Sequence, residues 1–248
     1  MEQSHLGQSA RRPGRSSLAV GLACSAGEIL EAQRLRHRVF AGELGARLLS
    51  RTPGVDYDIY DPFCEHLLVR DTQFGEVVGT YRILAPEDAA QIGYYSENEF
   101  DLTRFQHLRP SLVEIGRSCV HRPTIMLLWS GLADYMTRHG YDYLMGCASI
   151  SMADGGHAAA SLYKRLAAEH LGPQEYRVFP RCPLPLAALR QDLPADVPPL
   201  IKGYLRAGAW ICGEPAWDPD FNTADLPILL PMARVTGRYA KHYLEQTT

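Results

Sequence analysis

The stretch Leu112–Val120, LVEIGRSCV, narrows the possible folds more than any other part of the chain. Its branched apolar residues read as a strand buried on both faces, yet Glu114 and Arg117 stand at its centre. An unpaired charge in a core is expensive, so this strand needs partners from other elements or a cleft beside it. In a regular ladder side chains alternate, and Glu114 and Arg117 would point to opposite faces. Gly116 lies between them, and an interior strand glycine often marks a bulge. One extra residue would turn both charges to one face. It would also leave backbone N–H groups unpaired, able to hold a carbonyl oxygen as negative charge grows on it. Two readings are open at this point. One is a buried Glu–Arg pair tying two elements together; the other is a carboxylate, a guanidinium and free amides arranged for acyl transfer to an amine.

The surrounding pattern sets the fold class. Apolar residues recur at helical spacing from Glu28 to Leu44. EHLLVRD and EVVGTYRIL, joined by TQFG, give a hairpin, and short helices or turns follow before the charged strand. Then come a helix from Ile125 to Gly140, the strand YDYLMGCAS, and a helix that Asp154 caps and Gly172-Pro173 ends. The prolines at 180, 183, 185, 194, 198 and 199 mark a loop or crossover. Beyond it lie a helix, a strand, the strand PILL and a closing helix from Arg234. This order predicts a mixed α/β domain over 26–248, a central sheet flanked by helices, with a C-terminal extension from about 180. Residues 1–25, polar and basic, read as a flexible arm. No GxGxxG or P-loop sequence is present.

Composition excludes several classes. A net charge of -3 argues against a nucleic-acid partner. The six cysteines are scattered singly, which predicts free thiols and no metal knuckle. The longest apolar stretch, from Ile125, is broken by Asp134 and falls short of the ~20 residues of a spanning helix. Without an N-terminal apolar export segment, a cytoplasmic location is expected.

The segments LRHRVF, GELG, DYDIYD, EHLLV, GTYRIL, VEIGRSCV and YLMGCAS, in that order, resemble the acyl-carrier-protein-dependent N-acyltransferases that make ornithine lipids. These form a branch of the GNAT superfamily related to the acyl-homoserine lactone synthases. PPLIKGYLRAGAWICGEPAWDPDFNTADLPILLP is similar to the same family. The resemblance spans residues 28 to 243 and implies a GNAT-like fold. The implied reaction moves a (3-hydroxy)fatty acyl group from acyl carrier protein to the α-amine of L-ornithine, giving lyso-ornithine lipid.

By the same resemblance, Glu114 and Arg117 are catalytic, with Glu114 as base, and the backbone of Gly116, Ser118 and Cys119 holds the oxyanion. Arg36 and Phe40 shape the mouth of the site, Asp58 and Asp61 face the amine, and Arg82 lies on the strand beside them. Either Arg82 or Arg117 would clamp the acceptor carboxylate, and Asp58 or Asp61 the side-chain ammonium. Ala46 stands where the lactone synthases carry Trp, which speaks for the ornithine-type enzymes. The connection HRPT has no glycine, and Pro123 offers no N–H to a pyrophosphate. The expected donor is therefore the phosphopantetheine of acyl carrier protein, with no bound cofactor and no metal. Arg122, Lys164 and Arg165 are the candidate contacts for that acidic partner. Phe40, Met126, Trp129 and Leu144 are candidates for the acyl groove. Cys119 is read as a packed thiol. Peripheral membrane contact is expected through LPILLPM and the helix bearing Arg234, Arg238 and Lys241. The competing expectations are another acceptor such as tyrosine, an autoinducer-type synthase, or a non-catalytic acyl-chain binding module.

Overall fold

A computed structural model describes residues 17–48, 50–120 and 125–235. The sheet runs in the order β1 (Leu18–Leu22), β2 (Glu65–Asp71), β3 (Glu76–Leu84), β5 (Leu112–Val120), β6 (Tyr143–Ser151), β10 (Thr223–Pro231) and β8 (Trp210–Ile211), with β9 (Ala216–Asp218) also on β10. β4 (Phe100–Asp101) and β7 (Phe179–Pro180) form a small separate pair. β5 and β6 are parallel, while the other ladders among the described residues are antiparallel. Helices α1 (Ala26–His37), α2 (Pro86–Ile92), α3 (Ile125–His139), α4 (His157–His170) and α5 (Pro199–Ala207) flank this mixed sheet, as the element order predicts.

Alternation along the strands divides the core in two. Leu67, Val69, Tyr81, Ile83, Val113, Ile115, Ala148, Leu226 and Ile228 pack on the face covered by α3, α4 and α5. Their neighbours Leu84, Leu112, Met145 and Leu229 face the other way, toward α2 and the irregular segment 94–108. Leu68 and Val77 meet α1 on that same second face. A period of two therefore places Arg82, Glu114, Cys147 and Asp225 together on the second face.

Four expectations change. Residues 18–22 are a strand: Leu18, Val20 and Leu22 alternate with more exposed neighbours and pair with β2. The remainder of the expected arm, residues 1–16, lies outside the described residues. The first helix ends at His37 and widens into a π-helical turn, Arg38–Glu43, which turns Phe40 inward. Asp154 caps α4 from two residues before its N-cap Gly156, accepting from the N–H groups of Gly156 and Ala158. Finally, LPILLPM is not a membrane-facing edge. Leu226–Leu230 are buried in β10 between β6 and β8, because this strand is apolar on both faces. Arg238 and Lys241 lie outside the described residues.

Candidate active site

Arg82 pairs with Gly116 and Thr80 with Cys119, so two steps on β3 match three on β5. The extra residue falls at Arg117–Ser118, opposite Tyr81. Arg117 takes φ 50°, a left-handed conformation that costs a residue with a Cβ on the order of 1–3 kcal/mol. The irregularity expected at Gly116 thus sits one residue later. The alternation proves the shift: Val113 and Ile115 pack toward α3, whereas Cys119 packs on the α1 side. Glu114 and Arg117 consequently share a face.

β5 also parts from β6 at this level. Their ladder ends at Glu114–Met145. Just beyond, a Cβ on Gly146 would stand 2.5 Å from the Ile115 carbonyl oxygen, so only glycine permits the close approach before the strands split. The split opens a cavity of about 440 Å³. Glu114, Gly116, Arg117 and Ser118 line it; Cys119 has rejoined the β3 ladder and does not. Burial pushes the Cys119 thiol up to about 12, as suits a packed residue.

Glu114 is buried and accepts from the Tyr95 N–H (2.6 Å), the Ser96 N–H (2.7 Å) and the Ser96 hydroxyl. Those donors come from the first turn of a short 3-10 helix, Tyr95–Asn98. Burial raises the Glu114 carboxyl above its ordinary value, and the Ser96 and Tyr95 donors offset part of that rise. A raised carboxyl group is a stronger base than an ordinary one, which suits it to take a proton from an amine.

Beside it stands an ion-pair wall. Arg36 is fully buried and reaches Asp56 (2.7 Å) and Asp61 (2.6 Å). Arg82 reaches Asp58 (2.6 Å) and Asp61 (3.1 Å), and Arg117 reaches Asp58 (3.1 Å) and Asp56 (3.4 Å). The wall is neutral overall, three guanidinium groups against three carboxylates. Burial would raise Asp61, but Arg36 and Arg82 hold it well below the usual carboxylate range. His66, beside Arg36, is pushed down to about 4 by burial and by that charge, so it is neutral at pH 7.

Several expected roles shift accordingly. Arg36 does not shape the mouth; it lies behind the wall and fixes Asp56 and Asp61. Asp58 and Asp61 do not line the cavity, because Arg82, Arg117 and Arg36 take up their oxygens. Arg82, Arg117 and Phe40 do line it. Arg117 lies against the rings of Tyr95 (4.9 Å) and Phe221 (4.7 Å).

Sequence reasoning missed the opposite wall. Glu99, at the end of the same 3-10 helix, Asp218 at the end of β9 and Asp225 in β10 bring carboxylate oxygens within 4.8 Å of one another. All three line the cavity. The signal was available: ADLPILL places an acid in an otherwise apolar strand, as LVEIGRSCV does.

The far end of the cavity is apolar and passes through the split in the sheet, between Ile115, Leu144, Leu200, Tyr204, Ile228 and Leu230. Of the groove candidates, Phe40 and Leu144 line the cavity, Trp129 packs into the core against Tyr204 (4.8 Å), and Met126 is exposed. Lys164 and Arg165 lie on the exposed side of α4, where Arg165 donates to the Ala195 carbonyl; Arg122 is outside the described residues.

Residues 35–130 match a family model described as an acetyltransferase (GNAT) domain. The chain is 37% identical over 249 residues to an L-ornithine N(alpha)-acyltransferase of Brucella abortus (strain 2308), covering 92% of this chain and 89% of that protein. It is 36% identical to one of Agrobacterium fabrum (strain C58 / ATCC 33970), with 92% and 85% covered. Among solved structures, the AHL synthase LasI superposes with TM-score 0.53 at 15% identity, over 90% of this chain and 96% of that one. The CoA-dependent acyl-homoserine lactone synthase MesI gives 0.52 at 12% identity, over 92% and 94%. At such identities the structural likeness concerns the fold.

Proposed function

This chain belongs to the L-ornithine N(alpha)-acyltransferase family, and on that premise we propose that it acylates the α-amine of L-ornithine with a (3-hydroxy)fatty acyl group carried by acyl carrier protein. The observation that carries the reading is the bulge, which turns Glu114 and Arg117 to one face beside the main chain of residues 116–118.

Glu114, directly or through a water, takes a proton from the attacking amine. The amine nitrogen bonds to the thioester carbonyl carbon, and the oxygen gains the negative charge. On its β6 side, β5 has no ladder partner beyond Glu114, which supports main-chain donation from Gly116 to Ser118 to that oxygen. Collapse breaks the carbon–sulfur bond, and the departing pantetheine thiolate takes up a proton. Arg117 clamps the acceptor carboxylate: it holds its aspartates more loosely, Asp58 at 3.1 Å and Asp56 at 3.4 Å, than Arg82, which reaches Asp58 at 2.6 Å and Asp61 at 3.1 Å. The acyl chain lies in the apolar end of the cavity, and phosphopantetheine enters through the β5–β6 split.

No helix among the described residues is long and apolar enough to cross a membrane. The amphiphilic product leaves through peripheral contact, for which exposed Leu44 in the cavity lining and exposed Tyr57 and Ile59 flanking Asp58 supply apolar surface. Lys164 and Arg165 remain the candidate contacts for the acidic carrier protein. An assay with 3-hydroxyacyl-loaded carrier protein against single amino acids tests the whole reading. It predicts lyso-ornithine lipid as the main product; acylation of tyrosine in preference to ornithine would replace it.

A further inference from the structure

We propose that Glu99, Asp218 and Asp225 form the subsite that recognises the side-chain ammonium of the acceptor and so discriminates ornithine from uncharged amino acids, an inference that rests on the ornithine reading. Asp225 is 4% exposed, and its Oδ1 is buried with no hydrogen-bond partner among the described residues. Both Glu99 oxygens and the Thr223 hydroxyl, which lines the same cavity, are in the same condition. Unsatisfied buried acceptors of this kind are rare and costly. Asp218 is anchored, since its Oδ1 accepts from the N–H groups of Asp220 and Phe221.

Burial raises Glu99 far above the carboxylate range and Asp225 with it, and for Glu99 the Asp225 charge adds to the rise. The Ser149 and Thr223 hydroxyls and the Glu99 carboxyl temper this at Asp225, and the Cys147 thiol at Glu99, but none of these contacts reaches hydrogen-bond geometry on Asp225 Oδ1 or the Glu99 oxygens. A cation with several N–H donors relieves both conditions at once. An ammonium makes charge-assisted bonds of about 2.8 Å, and three such bonds in tetrahedral directions span acceptors as far apart as these.

The subsite also lies where the substrate needs it. The Tyr95–Asn98 helix gives its first amides to Glu114 and ends at Glu99. Ser96 Oγ contacts Glu114 and stands 3.3 Å from Cys147 Sγ, and Cys147 adjoins Glu99. An acceptor with its α-amine at Glu114 and its carboxylate at Arg117 therefore extends a short carbon chain along Cys147 to the acids.

The test compares ornithine with norvaline, which has the same carbon chain and no side-chain ammonium. Wild-type kcat/KM should favour ornithine by about 10³-fold or more, as expected when buried polar groups would otherwise stay unpaired. The isosteric double variant E99Q/D225N should shrink the ornithine-to-norvaline ratio by about 100-fold, a ratio that general misfolding would not move. A wild-type enzyme that acylates both equally, or a variant with an unchanged ratio, overturns the subsite while leaving ornithine turnover intact. Ornithine turnover lost with EDTA and restored by Mg²⁺ or Ca²⁺ would overturn it too, by making the cluster a metal site. If the wild type acylates no ornithine at all, the ornithine reading itself falls and the subsite with it.

Discussion

Two walls of one cavity hold the same kind of side chain in opposite condition. On the first, Asp56, Asp58 and Asp61 are matched by Arg36, Arg82 and Arg117, and Asp61 is held ionised far into acid. On the second, Glu99 and Asp225 press against each other, both Glu99 oxygens and Asp225 Oδ1 lack a hydrogen-bond partner among the described residues, and burial pushes their carboxyl groups toward the neutral form. A satisfied wall holds geometry: it fixes the guanidinium of Arg117 at the bulge. An unsatisfied wall tolerates its own instability because a ligand completes it, and stability given up locally is common where binding happens.

The largest effect expected from this contrast comes from Arg36→Leu, which leaves Asp56 and Asp61 buried without a full set of partners. Urea unfolding should show a loss of about 3–5 kcal/mol, the usual consequence of removing one side of a buried pair. A loss under about 1 kcal/mol would mean the first wall is not a unit. Glu99→Gln should act in the other direction and leave the ligand-free chain as stable or more stable at pH 8. Destabilisation comparable to that of Arg36→Leu would erase the distinction between the walls.

The two walls should also respond to pH with opposite signs. Asp61 has a depressed carboxyl, so its contribution is present above the unfolded carboxylate value and is lost as pH falls through its folded one. Glu99 has a raised carboxyl, so its contribution is present below the unfolded value and fades as pH rises toward about 10. Thermal melts from pH 3 to 10 should therefore fall at both ends, and Glu99→Gln should flatten only the alkaline limb. Flattening of the acid limb instead would reverse the assignment. The smallest effect belongs to a control outside both walls: Arg138→Ala, which breaks an exposed i,i+4 pair with Asp134, should shift stability by less than about 0.5 kcal/mol.

The first wall was largely legible from sequence, because charged residues in apolar strands and a strand glycine carry a clear physical cost. LVEIGRSCV announced a bulge, though the register places it at Arg117 rather than Gly116, a choice made by ladder geometry. The resemblance set the acids of DIYD near the site; that their oxygens are taken up by Arg36, Arg82 and Arg117 depends on three elements far apart in the chain. The second wall went unread because its members come from three separate segments, and only the pairing of β10 with β6 and β9 joins them. β1 was hidden for a related reason: Leu18–Leu22 is short, and its ladder to β2 is a long-range partnership. LPILLPM showed apolar character, but sequence alone does not separate a strand buried between two others from a lipid-facing edge.

The central claim is that Glu114, at the level of the bulge, takes the proton of the attacking amine. Its most direct test is the single-turnover rate of acyl transfer from loaded carrier protein to ornithine in Glu114→Gln, with melting temperature measured alongside. The account predicts a rate about 10²–10⁴-fold below wild type in a chain that melts normally. A normally folded variant that keeps its rate within about threefold would contradict it.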